Sequence, residues 1–187
     1  MSTDSLNRFA PENGEPFNGR VQVYTGTGKG KTTAAIGLAV RAAGHGYRSF
    51  IGQFMKGIPY GEHTALKAIP EITIEQFGDE ACLRKEEITE LHRQQARSGL
   101  ARCREIMHNN TYDLIVLDEI NVTIWFGLVS EQDVLAFVEE KPKNVELILT
   151  GRHAPQTIVS RADLVTEMKS VKHYFDGDLL ARDGIER

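Results

Sequence analysis

The residues best equipped for chemistry lie in one run, Thr25-Gly26-Thr27-Gly28-Lys29-Gly30-Lys31-Thr32-Thr33, between the apolar segment Val21-Gln22-Val23-Tyr24 and a helix-like stretch, Ala34 to Ala43. Gly26, Gly28 and Gly30 lack a β-carbon, so the backbone can curl with N–H groups turned inward, and the helix N-terminus behind them adds positive potential. Lys31 supplies a mobile charge for phosphate oxygens. Thr32 offers a hydroxyl to a phosphate-bound Mg²⁺. Strand, glycine turn and helix together predict a cradle for a nucleotide triphosphate with its Mg²⁺.

Carboxylates complete the pattern. Tyr112 to Leu117 is an apolar strand ending in Asp118-Glu119. Carboxylates just past a central parallel strand sit in the crevice where the metal must be held, which makes Asp118, Glu119 and Thr32 the candidate metal residues. Taken alone, the pair also suits a helix N-terminus. A later strand, Val145 to Thr150, delivers Gly151-Arg152 to the same edge, where the Arg152 guanidinium suits phosphate or a leaving anion; a solvated surface arginine has the same signature. Lys56, in the loop Met55 to Gly61 after strand Ser49 to Phe54, is a further contact candidate on the ligand side of the sheet.

These residues need a scaffold, and the pattern supplies one. Six strand-like segments alternate with helix-like ones through short connections, which predicts a single-domain α/β fold with a mostly parallel central sheet flanked by helices. The helix after the cradle, rich in Ala, Ile, Leu and Val, is expected to be buried on several sides. Arg41 near its end suits the helix dipole. A long helix is expected over Glu86 to Asn109, with Ile88, Leu91, Leu100, Cys103, Ile106 and Met107 on its apolar face. Trp125 reads as core. After Asp163 to Met168, a β-like excursion is expected to turn at Asp176-Gly177.

Composition narrows the class. A chain of 187 residues can bury the core of one domain, and a formal charge of -4 argues against a nucleic-acid coat. Cys82 and Cys103 are the only cysteines and lack metal-ligand spacing, so a reducing, cytoplasmic setting is the default. No apolar run approaches the ~20 residues of a membrane span. Residues 1–19 carry only Leu6, Phe9 and Phe17 among polar and Pro/Gly residues, which predicts a flexible arm ahead of a nucleotide-binding domain at 20–187.

The chain resembles the P-loop-type corrinoid adenosyltransferases, which act on cob(I)alamin or cob(I)yrinic acid a,c-diamide. The resemblance rests on the loop from Thr25 to Ala35, with Thr in its first position, on Arg41-Ala42-Ala43-Gly44-His45-Gly46, and on Gln53-Phe54-Met55-Lys56-Gly57. It continues in Val116-Leu117-Asp118-Glu119-Ile120, Thr150-Gly151-Arg152, Ala162 to Met168 and Val171-Lys172-His173. It implies transfer of the 5′-deoxyadenosyl group of ATP to Co(I) of the corrinoid, with ATP reversed in the loop so that the cradle grips the leaving triphosphate. Lys31, Arg152 and Glu119 would then be catalytic, with Glu119 at the metal and Asp118 beside it, and Arg41 would contact nucleotide.

The resemblance further implies a homodimer, an electron donor for Co(II), and an N-terminal arm covering the corrinoid. In the family a Phe-x-Trp pair seals the lower corrin face. Here Phe77-Gly78-Asp79-Glu80-Ala81-Cys82-Leu83-Arg84 has no Trp, which leaves Phe77, Cys82 and Leu83 as candidates. The rival reading of the generic features is a P-loop ATPase or small-molecule kinase, which would release ADP; a regulatory nucleotide-binding module would need only the loop.

Overall fold

The computed structural model describes residues 17–78, 85–174 and 181–186. Six strands, β1 (Val21–Thr25), β2 (Ser49–Phe54), β3 (Ile72–Phe77), β4 (Leu114–Asp118), β5 (Glu146–Thr150) and β6 (Leu164–Glu167), form one sheet in the order β3-β2-β4-β5-β1-β6. Every pairing is parallel. The expected sheet is thus parallel throughout, and all carboxyl ends, including those of β1 and β4, open on one edge.

Period-two alternation sorts each strand between two layers. Ile115 and Leu117 of β4 join the cluster built with Leu100, Cys103 and Met107 of α3 (Glu90–His108) and Phe137 of α5 (Glu131–Glu139). Leu114 and Val116 face the opposite cluster, with Ala35 and Ala39 of α1 (Lys31–Ala43) and Leu66 of α2 (Gly61–Leu66). Helices α4 (Ile120–Trp125) and α6 (Gln156–Arg161) add Ile120 and Ile158 to the first layer. Because both faces are covered, β2 and β4 are buried at every position.

Three expectations are corrected. First, α1 meets the sheet through one narrow stripe: Ala35 and Ala39 are buried and Val40 is 43% exposed, since alanines let the helix lie close without burying its flanks. Second, the long helix begins at Glu90, because Thr89 is an N-cap whose hydroxyl accepts the His92 N–H, and Lys85–Glu87 form a separate 3-10 turn. Its buried face runs through Ala96 and Gly99 instead of Leu91, which is 60% exposed. Third, Trp125 is 46% exposed, stacked on His153 at 4.6 Å and capped by Lys85 Nζ at 4.8 Å.

Gly99 explains how α3 packs. A β-carbon there would lie 2.5 Å from Cγ of Phe77, so the glycine makes room for that ring, which also meets Phe54 at 5.5 Å. Phe77 is therefore packed into the sheet–α3 layer. The arm through residue 16, Cys82, Leu83 and the Asp176-Gly177 turn lie outside the described residues. Among the described residues, no helix is long and apolar enough to cross a membrane.

Candidate active site

At the carboxyl edge, the loop between β1 and α1 curls over a cavity of about 760 Å³ that also meets Lys56, Glu119, Arg152, His173 and Glu186. The left-handed φ values of Gly26 (96°) and Gly30 (114°) make the turn, a conformation that glycine adopts without steric cost. Gly26 also admits β6: a β-carbon there would lie 2.4 Å from the Met168 carbonyl. Gly28 donates its N–H to that same carbonyl at 2.6 Å, so this amide anchors the loop to the end of β6 instead of pointing into the cradle.

Lys31 is buried at the head of α1, where Nζ donates to the carbonyls of Gly26 at 2.9 Å and Gly28 at 2.7 Å. Burial pushes its pKa down; Glu119 opposes that shift and Arg152 reinforces it. The ammonium is thus presented under the loop floor, with Thr27, Lys29, Thr32 and Thr33 around the same cavity.

Asp118 organises the deeper wall. One oxygen, Oδ1, accepts from Thr32 Oγ1 at 2.9 Å and Thr150 Oγ1 at 2.7 Å, and Oδ2 accepts from Lys56 Nζ at 2.8 Å and Gln53 Nε2 at 3.2 Å. Four donors satisfy the fully buried carboxylate, as a charge in a low-dielectric interior requires. Burial pushes the Lys56 pKa down, but the Asp118 carboxylate, with Glu119 and Glu62, outweighs it and the net shift is upward.

Glu119 is different. Its φ of 61° turns the chain sharply out of β4 into α4, its N–H donates to Thr150 Oγ1 at 2.9 Å, and its side chain lines the cavity. Burial raises its pKa, and the neighbouring Asp118 charge raises it further. A carboxylate held in a left-handed turn and short of solvent is suited to meet a cation. Thr32 and Glu119 supply hard oxygen donors beside a polyphosphate-sized cavity, the donor type that Mg²⁺ takes when phosphates provide its other ligands. Asp118, its oxygens already engaged, sits behind Thr32 and positions it.

Arg152 follows Gly151, whose φ of 125° suits glycine and where a β-carbon would lie 3.1 Å from the Val122 nitrogen. The exposed guanidinium lines the same cavity as Lys31, Lys56 and Glu119. Arg41 does not join them within one chain. It lies ten residues along α1 from Lys31, roughly 15 Å at 1.5 Å per residue, and lines a separate cavity of about 290 Å³ with Phe17, Tyr47 and Glu146.

Four participants went unread as site residues. Gln53 and Thr150 hold Asp118; a polar glutamine just before Phe54 at the carboxyl end of strand β2 was the available signal for the first. Tyr174 and Glu186 bind Lys29 from 145 and 157 residues away, and no local pattern announces that contact.

Comparisons with known proteins identify the family. The sequence profile described as ATP:corrinoid adenosyltransferase BtuR/CobO/CobP matches residues 17–187. The corrinoid adenosyltransferase of Escherichia coli K12 is 35% identical over 176 residues, covering 90% of this chain and 85% of that protein. Those of Pseudomonas aeruginosa and Salmonella typhimurium are 32% and 33% identical, covering 90% of this chain and 83% and 85% of their own lengths. In fold, the KaiC-like protein PH0186 from Pyrococcus horikoshii superimposes with a TM-score of 0.51 at 16% identity, covering 93% of this chain and 78% of that one. With a profile match spanning residues 17–187 and relatives aligned over most of both lengths, the chain belongs to the ATP:corrinoid adenosyltransferase family.

Proposed function

We propose that this chain transfers the 5′-deoxyadenosyl group of ATP to the Co(I) centre of a corrinoid, with the triphosphate held in the loop as leaving group. The Co(I) electron pair attacks C5′, a cobalt–carbon bond forms, the C5′–O bond breaks, and its electron pair departs on the triphosphate. Cobalt ends two oxidation levels higher. An external electron donor must first reduce Co(II).

The observation that carries this reading is the convergence of Lys31, Lys56 and Arg152 with Glu119 on one cavity under the glycine loop. Cationic groups fixed before reaction stabilise charge that develops on a departing polyphosphate without further reorganisation. Lys31 and Arg152, which line the same cavity, would both bind the phosphates. Thr32 and Glu119 are the residues that would hold Mg²⁺, which when bound neutralises charge on the triphosphate. Asp118 keeps Thr32 and Lys56 oriented throughout.

The same reading includes a cytoplasmic homodimer whose residues 1–19 cover the corrinoid. Arg41, remote from the cavity within one chain, would then meet nucleotide only through a second subunit or a rearrangement. The test is product analysis under anaerobic conditions with ATP and a chemically reduced corrinoid. Equimolar triphosphate and a light-sensitive alkylcobalt species are expected. ADP and phosphate without alkylcobalt would overturn the proposal.

A further inference from the structure

The ammonium of the loop residue Lys29 is held by the other end of the chain. Nζ donates to Glu186 Oε1 at 2.8 Å, to the Ile185 carbonyl at 3.0 Å and to Tyr174 Oη at 3.0 Å. Glu186 is the hub of this contact. It also accepts the Arg182 N–H at 2.8 Å, the Arg182 guanidinium at 3.1 and 3.2 Å, and the Tyr174 hydroxyl. Arg182, then Lys29 and Tyr174, hold its carboxyl well below the usual range, and Glu186 in turn holds the Lys29 ammonium up.

Local structure fixes Glu186 independently of Lys29. Its N–H and that of Ile185 both donate to the Arg182 carbonyl, closing a turn in which Gly184 takes a φ of 76°. The Arg182 guanidinium lies 4.9 Å over the Tyr174 ring, joining that turn to residue 174. The turn therefore presents a preset carboxylate to the loop.

Lys29 stands between two glycines, so nothing else on that stretch has a side chain with which to anchor. The tips of the loop, Gly28 and Lys29, are both tied to residues beyond β6, the first through the Met168 carbonyl and the second through Glu186. Gly184, Ile185 and Glu186 themselves form part of the cavity wall. We infer that the segment Arg182 to Glu186 completes the nucleotide site, with Glu186 a positioning residue that fixes Lys29 and thereby presets the Gly28–Gly30 peptides for triphosphate. The inference rests on the reading that this cavity takes ATP.

Affinity of the full-length protein for MgATP, measured by titration calorimetry, tests it without reference to the corrinoid. Glu186→Gln is expected to weaken binding about tenfold, within the range of a direct side-chain coupling, and to raise KM for ATP while leaving kcat at saturating ATP within about twofold. In a Lys29→Met background the same substitution is expected to have no further effect. Tyr174→Phe, at a residue 39% exposed, is expected to weaken binding in the same direction by less, and serves if Glu186→Gln lowers the melting temperature severely. Unchanged or tighter binding in Glu186→Gln, or losses that multiply in the double variant, would overturn the inference. Failure of the unaltered protein to bind ATP would instead overturn the assigned function of the cavity.

Discussion

Thr150 Oγ1 donates to Asp118 Oδ1 at 2.7 Å while accepting the Glu119 N–H at 2.9 Å, so one hydroxyl from β5 fixes both carboxylate residues at the end of β4. Valine has nearly the shape of threonine without that hydroxyl. Thr150→Val is therefore expected to cost about 1–3 kcal/mol, the range for a buried group left unpaired. Turnover is expected to fall by roughly 10²-fold as Glu119 loses its backbone tether. Thr150→Ser keeps the hydroxyl and is expected to retain most of both, as chemical denaturation and initial rates would show; equal losses in Ser and Val would point to packing instead.

Lys31 donates to two loop carbonyls beneath the cavity, and burial has already lowered its pKa. Losing a charge-assisted hydrogen bond to phosphate costs about 1.5–3 kcal/mol. Lys31→Ala is thus expected to weaken ATP binding by roughly 10- to 100-fold. Equilibrium titration with ATP checks this, and near-normal affinity would remove Lys31 from the site.

Glu119 carries a raised pKa in the folded protein, chiefly from burial and then from Asp118. The folded state thus favours the protonated acid, and the ionised carboxylate costs stability. That cost is fully present above the folded pKa and disappears as pH falls below the unfolded value near 4.5. Without ligand, Glu119→Gln is expected to melt higher than the wild type at pH 8, with the two converging in acid, while turnover is largely lost. A lower melting temperature for the variant at pH 8 would contradict the assigned burial. A gain in stability with a loss of function is the pattern of a group held against its preference for the reaction.

Gly99 tests the packing that sets the sheet edge. Its substitution by alanine would gain about 1 kcal/mol of helix propensity, but the new β-carbon would sit 2.5 Å from Phe77 Cγ and 2.7 Å from Phe77 Cβ. Overpacking of that kind costs about 1–3 kcal/mol, and the clash lies at the rigid root of the ring, so net destabilisation is expected. Thermal melting checks the sign; a stabilised variant would mean that α3 can shift away from β3.

The central strands were legible because β4 and β5 carry the apolar runs Leu114–Leu117 and Leu147–Leu149, buried on both faces, and the loop was legible because only glycines allow its turn. The one-sided burial of α1 was not, since an alanine stripe and a fully buried helix have similar composition; the difference lies in how closely Ala35 and Ala39 approach the sheet. Leu91 and Trp125 misled for the opposite reason. Both are large and apolar, yet one precedes the buried face of α3 and the other ends α4 beneath Lys85 and beside His153. Lys31, Lys56, Glu119 and Arg152 were each nameable from local pattern, but the Asp118 hub joins donors 32 to 86 residues distant, which only the folded sheet brings together.

In the proposed reaction the loop holds a leaving triphosphate and the bond broken is C5′–O. ATP labelled with ¹⁸O in the bridge between C5′ and the α-phosphorus tests it most directly, with mass spectrometry of the products after reaction with a Co(I) corrinoid. Label recovered wholly in triphosphate, with an unlabelled adenosyl group on cobalt, is the expected result. Label retained on a nucleoside phosphate, with cleavage between phosphorus atoms, would contradict the account.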